Sequence, residues 1–300
     1  MIYDRLGPCC HLYTAEGFGT IFLTDEDFKA GMTILAICAL SYPEVGILTF
    51  QLMGNHIHLT LAGERERCMA LFGMFRKRLM LFLKGARSSV DLTSWECSIK
   101  EISDLKYLRT VIVYTNRNGF VMNRDETPFS YRWGANRFFF NPDALLLCSQ
   151  SREKLTVRPI RGFMHSSGFD GLSGLPMVDG YVSPLAFCDI LTAMALFRDA
   201  HHYFHMVSRD IESQQSIAKD LGELVFYSDS ELFNAVVIFI RYKYGMTSPS
   251  VLPKEAKIET AVWMHHNYNA GNKQVSRILR LDLPLVDALF PSCRHPSSSR

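Results

Sequence analysis

The chain has no Cys-x-x-Cys pair, although it carries eight cysteines. Cys9, Cys10, Cys38, Cys68, Cys97, Cys148, Cys188 and Cys293 are scattered along its length. That pattern argues against a zinc ribbon and a disulfide framework, and it fits a reducing cytoplasm. No apolar run approaches the ~18 residues that a membrane-spanning helix needs, so no membrane partner is expected. The opening MIYDRLGPCC holds no apolar core of signal-peptide length. Net charge is nearly absent as well: Lys plus Arg number 32 against 30 Asp plus Glu, a balance of +2. Such mild basicity permits nucleic-acid binding without demanding it. No internal repeat is visible. What remains is ordinary for a folded protein, with 48% apolar and 21% charged residues over 300 positions. That length suits one large or two modest domains.

The pattern along the chain predicts an α+β fold. CCHLYT (9–14) reads as a strand. Thr24 reads as an N-cap with Asp27 three residues on, opening a helix that runs to about Leu40. Strands near 45–52 and 55–62 follow, then an amphipathic helix from Glu64 to about Lys84 with Met69, Phe72, Phe75, Leu79 and Phe82 at helical spacing. A strand near 95–99 and a helix over about 103–117 complete a βαββαβα unit, a small antiparallel sheet with helices on it, ferredoxin-like in order. From about residue 141 the texture changes. Residues 159–184 are dense in Gly and Pro and read as a loop or linker. Beyond Pro184 helical patterns cover 185–197, about 210–224, 229–244 and 254–266. The end, NAGNKQVSRILRLDLPLVDALF, reads as helix, turn, helix with Pro284 starting the last one. The expected division is therefore 1–140, a loop-rich 141–184, and a helical 185–300 with a helix-turn-helix-like segment near 254–290.

Within QLMGNHIHLTL (51–61) two histidines stand one residue apart. His56 and His58 share a strand face, while Ile57 points the other way. With 10 histidines in the chain, a chance His-x-His is roughly a one-in-three event. Two legs of a metal site and two polar histidines at a sheet margin both remain open on this stretch. Further on, Tyr114 and Asn118 are four apart on one helical face. The plainer account of that pair is a half-buried Tyr and a C-capping Asn, with Gly119 as a left-handed terminator.

Together these two stretches carry a resemblance. MGNHIHLTL resembles the PNHxH strand of the HUH single-tyrosine nucleases (His-hydrophobic-His), and especially that of the REP-associated tyrosine transposases and their insertion-sequence relatives. Their second signature is roughly Tyr-Ile-x-x-Asn-Pro, a Pro ten residues after that Asn, then Tyr-x-Trp. Tyr114-Thr115-Asn116-Arg117-Asn118, Pro128 and Tyr131-Arg132-Trp133 match it at fixed offsets. TIFLTDEDF resembles the family's entry to its first helix, and YNAGNKQVSRIL resembles a helix-turn-helix segment found in some members. The likeness covers about residues 9–135. Three positions depart from it: Thr115 for Ile, Gly119 for Pro and Gly54 for Pro. None removes a chemical group, though they alter the surroundings of the tyrosine.

The resemblance implies a metal-dependent single-stranded DNA endonuclease and strand transferase, a transposase acting beside hairpins. Tyr114 would be the nucleophile, leaving a 5′-phosphotyrosine and a free 3′-hydroxyl. His56, His58 and Asn118 would hold Mg²⁺ or Mn²⁺, a nitrogen–oxygen set that leaves positions open for phosphate. Single-stranded or hairpin DNA would be the partner, the protein would be cytoplasmic and nucleoid-associated, and a homodimer is compatible with the family. Arg76, Lys77, Arg78 and Arg117 are candidate backbone contacts, as are Lys273 and Arg277 in the C-terminal segment, with Arg65 and Arg67 weaker candidates. The last helix, LPLVDALF, is mostly apolar where a base reader needs polar or basic residues, so DNA contact by this segment and a purely structural cap both remain open. Two other readings stand beside this one: a domesticated, non-cleaving DNA-binding protein that keeps the fold, and a hydrolase that uses only the histidine pair.

Overall fold

The computed structural model describes residues 2–15, 18–86, 90–121, 130–149, 174–209, 227, 229–268 and 270–290. The chain divides into two compact units, 1–223 and 224–300.

The first unit is built on β1 (Cys9–Thr14), α1 (Asp25–Ser41), β2 (Gly46–Leu52), β3 (Ile57–Ala62), α2 (Arg65–Ala86), β4 (Cys97–Ile102) and α3 (Leu105–Val121). The strands form one sheet in the order β2-β3-β1-β4, with every neighbouring pair antiparallel. Each element arises where local chemistry favours it. Thr24 Oγ1 accepts the Asp27 N–H at 3.2 Å, and Asp27 accepts the Leu23 and Thr24 N–H groups at 2.9 and 3.0 Å. Two of the orphan donors at the start of α1, and the Leu23 N–H just ahead of them, are thus satisfied, which fixes where the helix begins.

The strand register sorts side chains onto two faces. Leu12, Phe50, Leu59 and Leu61 fall on one face and are fully buried. α1 and α2 cover that face: Leu52 lies against Gly31 of α1, and the Cys10 thiol pairs with that of Cys68 in α2. The opposite face carries His11, Thr49, Gln51, His58 and Thr60, all at 1% exposure or less, and α3 lies across it. Thr115 of α3 reaches Thr60 at 3.4 Å, and Asn116 accepts the Thr49 hydroxyl.

The first unit does not end at residue 140. After β4 and α3 come α4 (Ala144–Ser149), the hairpin β5 (Met177–Val178) and β6 (Tyr181–Val182), α5 (Ile190–Ala195) and α6 (Ala200–Arg209). These pack back onto the sheet. The Cys188 thiol and the Asp189 N–H both reach the Ile47 carbonyl, at 3.0 and 2.7 Å. The buried Tyr203 hydroxyl of α6 accepts from Asn116 at 2.8 Å. Met177 and Val182 pack with Ala36 and Ile37 of α1. The linker expected over 141–184 therefore contains structure. Its hairpin turns on Asp179-Gly180, with φ of 49° and 86°, the left-handed pair that a two-residue turn requires. The helix expected over 185–197 is a 3₁₀ turn at Pro184–Ala186 followed by α5, and α6 was not expected at all. The helix expected near 210–224 lies outside the described residues, as does Pro128.

The second unit holds α7 (Asp229–Tyr244), α8 (Lys254–Tyr268), α9 (Asn272–Leu279) and α10 (Leu283–Leu289). The stretch that reads as helix, turn, helix is α9 and α10, joined by residues 280–282. Arg280 takes the left-handed conformation between α9 and α10, and Val275, Ile278, Leu279 and Val286 are buried.

Two outcomes follow from this packing. Thr24→Ala should lower unfolding free energy in urea by about 1 kcal/mol, because one helix donor loses its acceptor, while Thr24→Ser stays near wild type. A fragment ending at residue 140 removes Tyr203 and the rest of α5 and α6 from α3. It should fail to give a single cooperative thermal transition, whereas 1–223 should give one.

Candidate functional site

The four residues singled out in the sequence come together on the α3-covered face of the sheet. His58 sits within β3, and His56 sits one position before it. Met53-Gly54-Asn55 makes the turn that delivers them, closed by the Met53 N–H to the His56 carbonyl at 2.9 Å. The Gly54 carbonyl also accepts from the Ile21 and Phe22 N–H groups at 2.8 and 2.9 Å. The imidazoles of His56 and His58 stand edge to face, with centroids 5.0 Å apart. The Tyr114 ring is perpendicular to that of His58 at 5.7 Å. One helical turn later, the Asn118 amide nitrogen is 3.5 Å from His58 Nε2. α3 continues past Gly119 to Val121, so Asn118 is an interior helix residue and not a C-cap.

Both histidines have Nδ1 engaged. Asn55 Oδ1 is 2.7 Å from Nδ1 of His56, and Nε2 of His11 is 3.2 Å from Nδ1 of His58. A histidine whose Nδ1–H is held by a neighbour keeps a lone pair on Nε2, the usual state of a metal-binding imidazole. Burial also keeps these groups neutral. Desolvation lowers His56 to about 4, and it lowers His11 to about 3 with help from the Lys100 charge. His58 is lowered well below the ordinary range by desolvation and by its two histidine neighbours.

Two further groups on this face escaped the sequence reading. His11, on β1, lies beside His58 with ring centroids 5.3 Å apart and approaches Tyr114 at 6.2 Å. Gln51 is the cross-strand partner of His58 and is 1% exposed, yet neither of its amide atoms has a hydrogen-bond partner. Strand alternation could have placed His11 on a face with Tyr13, but nothing local says which strand lies next to it. The donor set fits a divalent cation. It offers two neutral imidazole nitrogens and an amide that presents its oxygen after a half-turn, beside a buried Gln side chain with unmet hydrogen-bonding capacity. Among the described residues no cluster of three or more His, Cys, Asp or Glu side chains is placed to hold a metal.

The Tyr131-x-Trp133 motif serves the same region structurally. The Tyr131 hydroxyl donates to the Leu52 carbonyl at 2.7 Å, and the Leu52 N–H donates to the Trp133 carbonyl at 2.8 Å. The Trp133 ring stacks on Phe28 at 4.9 Å. The segment thus lines the outer edge of β2, next to the turn that carries His56.

The basic candidates fare differently. α2 covers the opposite face of the sheet, so Arg76, Lys77 and Arg78 do not line the histidine–tyrosine face. They also point in successive directions around the helix. Arg76 donates to the Thr93 and Trp95 carbonyls at 3.3 and 3.1 Å, Lys77 is exposed, and Arg78 is half-buried. Arg65 donates to the Ile99 carbonyl at 3.5 Å, and Arg67 pairs with Glu44 at 2.5 Å. Arg117 is 3% exposed and donates to the Val207 carbonyl at 3.2 Å, so it ties α3 to α6. In the second unit Lys273 is exposed, while Arg277 is held by both oxygens of Asp229 at 2.8 and 2.9 Å. The exposed positions of α10 are Pro284, Asp287 and Ala288, none of them basic.

No family model, curated protein or solved structure matches this chain. No helix among the described residues is long and apolar enough to cross a membrane.

The depressed histidines imply a pH dependence. Unfolding restores an ordinary value near 6.5, so below about pH 6.5 the unfolded chain takes up protons that the folded chain refuses. Stability should be full above about pH 6.5. It should fall as pH drops toward 4, by up to about 1.4 kcal/mol per pH unit for each such histidine. Urea unfolding of metal-free protein between pH 7 and 4.5 checks this, and His56→Gln should flatten the slope.

Proposed function

We propose that the protein is a metal-dependent single-stranded DNA endonuclease and strand transferase of the HUH single-tyrosine type, working through Tyr114. The observation that carries this reading is the convergence of His56, His58, Tyr114 and Asn118 on one sheet face, with Nδ1 of both histidines engaged. The strand order β2-β3-β1-β4 with a helix after β1 and after β3 supports it too, because this is the ferredoxin-like arrangement expected for such nucleases.

His56 and His58 through Nε2, and Asn118 through its amide oxygen, would hold Mg²⁺ or Mn²⁺. A divalent cation there would polarise a phosphodiester and steady it as a Lewis acid. The Tyr114 oxygen would attack phosphorus and form a P–O bond. The bond to the 3′-oxygen would break, and that oxygen would leave as a hydroxyl after gaining a proton, as the phenol gives its own up. The phosphotyrosine keeps the bond energy, so rejoining the strand needs no nucleotide. Tyr114 is 2% exposed, so neighbouring side chains must move before DNA reaches it. That enclosure is the feature that favours the alternative, a domesticated DNA-binding protein with no turnover.

The decisive test incubates the full-length protein with labelled single-stranded hairpin DNA from its genomic flanks and Mn²⁺, followed by a denaturing gel. A DNA–protein adduct is expected, lost in Tyr114→Phe and with chelator. Tight, salt-sensitive binding across several hairpins with no adduct would instead favour the non-cleaving protein. Adduct formation by Tyr114→Phe would remove Tyr114 from the role. In parallel, Mn²⁺ should raise the melting temperature of wild type but not of His58→Ala, because only the folded site gains the ligand.

A further inference from the structure

We infer that His11 is a positioning residue for His58. It accepts the His58 Nδ1–H and so keeps the His58 Nε2 lone pair turned toward Asn118. This rests on the cation-binding reading proposed above and adds to it a residue that would not itself touch the cation.

The geometry points to this from both sides of the His58 ring. On one side, His11 Nε2 lies 3.2 Å from His58 Nδ1. On the other, the Asn118 amide nitrogen faces His58 Nε2 at 3.5 Å. With the amide nitrogen turned toward the ring, the nitrogen it faces is the one with a lone pair, since an amide N–H is only a donor. A neutral imidazole has a single N–H, and that places the His58 proton on Nδ1, where His11 is the acceptor. The two neighbours agree on one tautomer.

The agreement has a consequence on His11 itself. If His11 Nε2 accepts, its own proton sits on Nδ1. That atom is buried and has no hydrogen-bond partner. Folding leaves this donor unsatisfied, which is rare in buried polar groups. Donation from His11 Nε2 would only turn that same atom into an unpartnered acceptor, and it would set His58 Nε2–H against the Asn118 amide nitrogen, donor to donor. His11 Nδ1 is thus unpartnered in either tautomer, and the Asn118 contact decides between them. Asn55 does the equivalent for His56 from within the same turn. His11 must act from a different strand, because the registered neighbour of His58 on β1 is Tyr13, and His11 reaches across diagonally.

The experiment titrates Mn²⁺ into the full-length protein and reads free Mn²⁺ by electron paramagnetic resonance, for wild type, His58→Ala, His11→Leu and His11→Gln. Loss of the acceptor in His11→Leu should weaken Mn²⁺ binding 10- to 100-fold, as outer ligands to metal-bound histidines generally do. Gln places an amide oxygen near the former Nε2, so His11→Gln should bind within about threefold of wild type. A purely structural role would lower the melting temperature of both variants without separating their affinities. Equal affinity in wild type and His11→Leu, or equally weak binding in His11→Leu and His11→Gln, overturns the inference while leaving the metal site in place, provided His58→Ala has lost binding. No uptake by wild type overturns both. A second measurement needs no variant to fold. Long-range ¹H–¹⁵N correlation spectra of the wild type with Mg²⁺ should show His58 protonated on Nδ1. Protonation on Nε2 overturns the inference directly.

Discussion

The polar face of the sheet is held shut by α3, and the rest of the first unit is arranged around that burial. A sheet face bearing His11, Thr49, Gln51, His58 and Thr60 is costly to remove from water unless its groups find partners. α3 supplies many of them: Thr115 for Thr60, Asn116 for Thr49, Asn118 for His58. Asn116 then passes the network outward to Tyr203, which donates to Asn136 at 2.5 Å. That outward step ties α6 to the sheet unit. Without that helix the far side of α3 would expose a hydrogen-bonded, largely buried interior.

The same burial sets the chemistry. An imidazole enclosed among apolar side chains and other imidazoles refuses a proton, so it keeps its lone pair at pH values where an exposed histidine begins to charge. The site also has a division of labour between the sheet's two faces. One face is aliphatic, closed by α1 and α2, and provides stability through side chains such as Leu12 and Leu59. The other is polar, closed by α3, and is where groups remain unmatched. His11 and Gln51 keep unmet hydrogen-bonding capacity there, in the region that a cation and a phosphate would need to occupy.

The three positions that differ from the signature the sequence resembles each have a local structural role. Thr115, in place of a branched apolar residue, turns its hydroxyl to Thr60, so a hydrophobic contact is exchanged for a polar one on a polar face. Gly119, in place of Pro, lets α3 run on to Val121. A proline would have removed the N–H at that position and strained the preceding turn. Gly54 leaves its carbonyl available to two N–H groups from 21–22, which brace the turn ahead of His56.

Local chemistry made much of the first unit legible in the chain. The capping pair Thr24 and Asp27, the alternation of β1 and β3, and the 3.6-residue stripe of α2 each act over a few residues, so β1 to α3 could be read in order. The same locality placed His56 with His58 and Tyr114 with Asn118. It could not place one pair against the other, and there the tertiary structure decided. The pairing of β1 with β3 brought in His11, and the sheet face chosen by α2 took Arg76, Lys77 and Arg78 away from the tyrosine. The packing of 174–209 onto β2 and α3 moved the boundary to 223 and turned Arg117 from a surface cation into an internal tie. Each of these rests on contacts between residues far apart in sequence, which periodicity cannot encode. The Asp179-Gly180 turn was the exception, a local signal that its loop-like surroundings concealed.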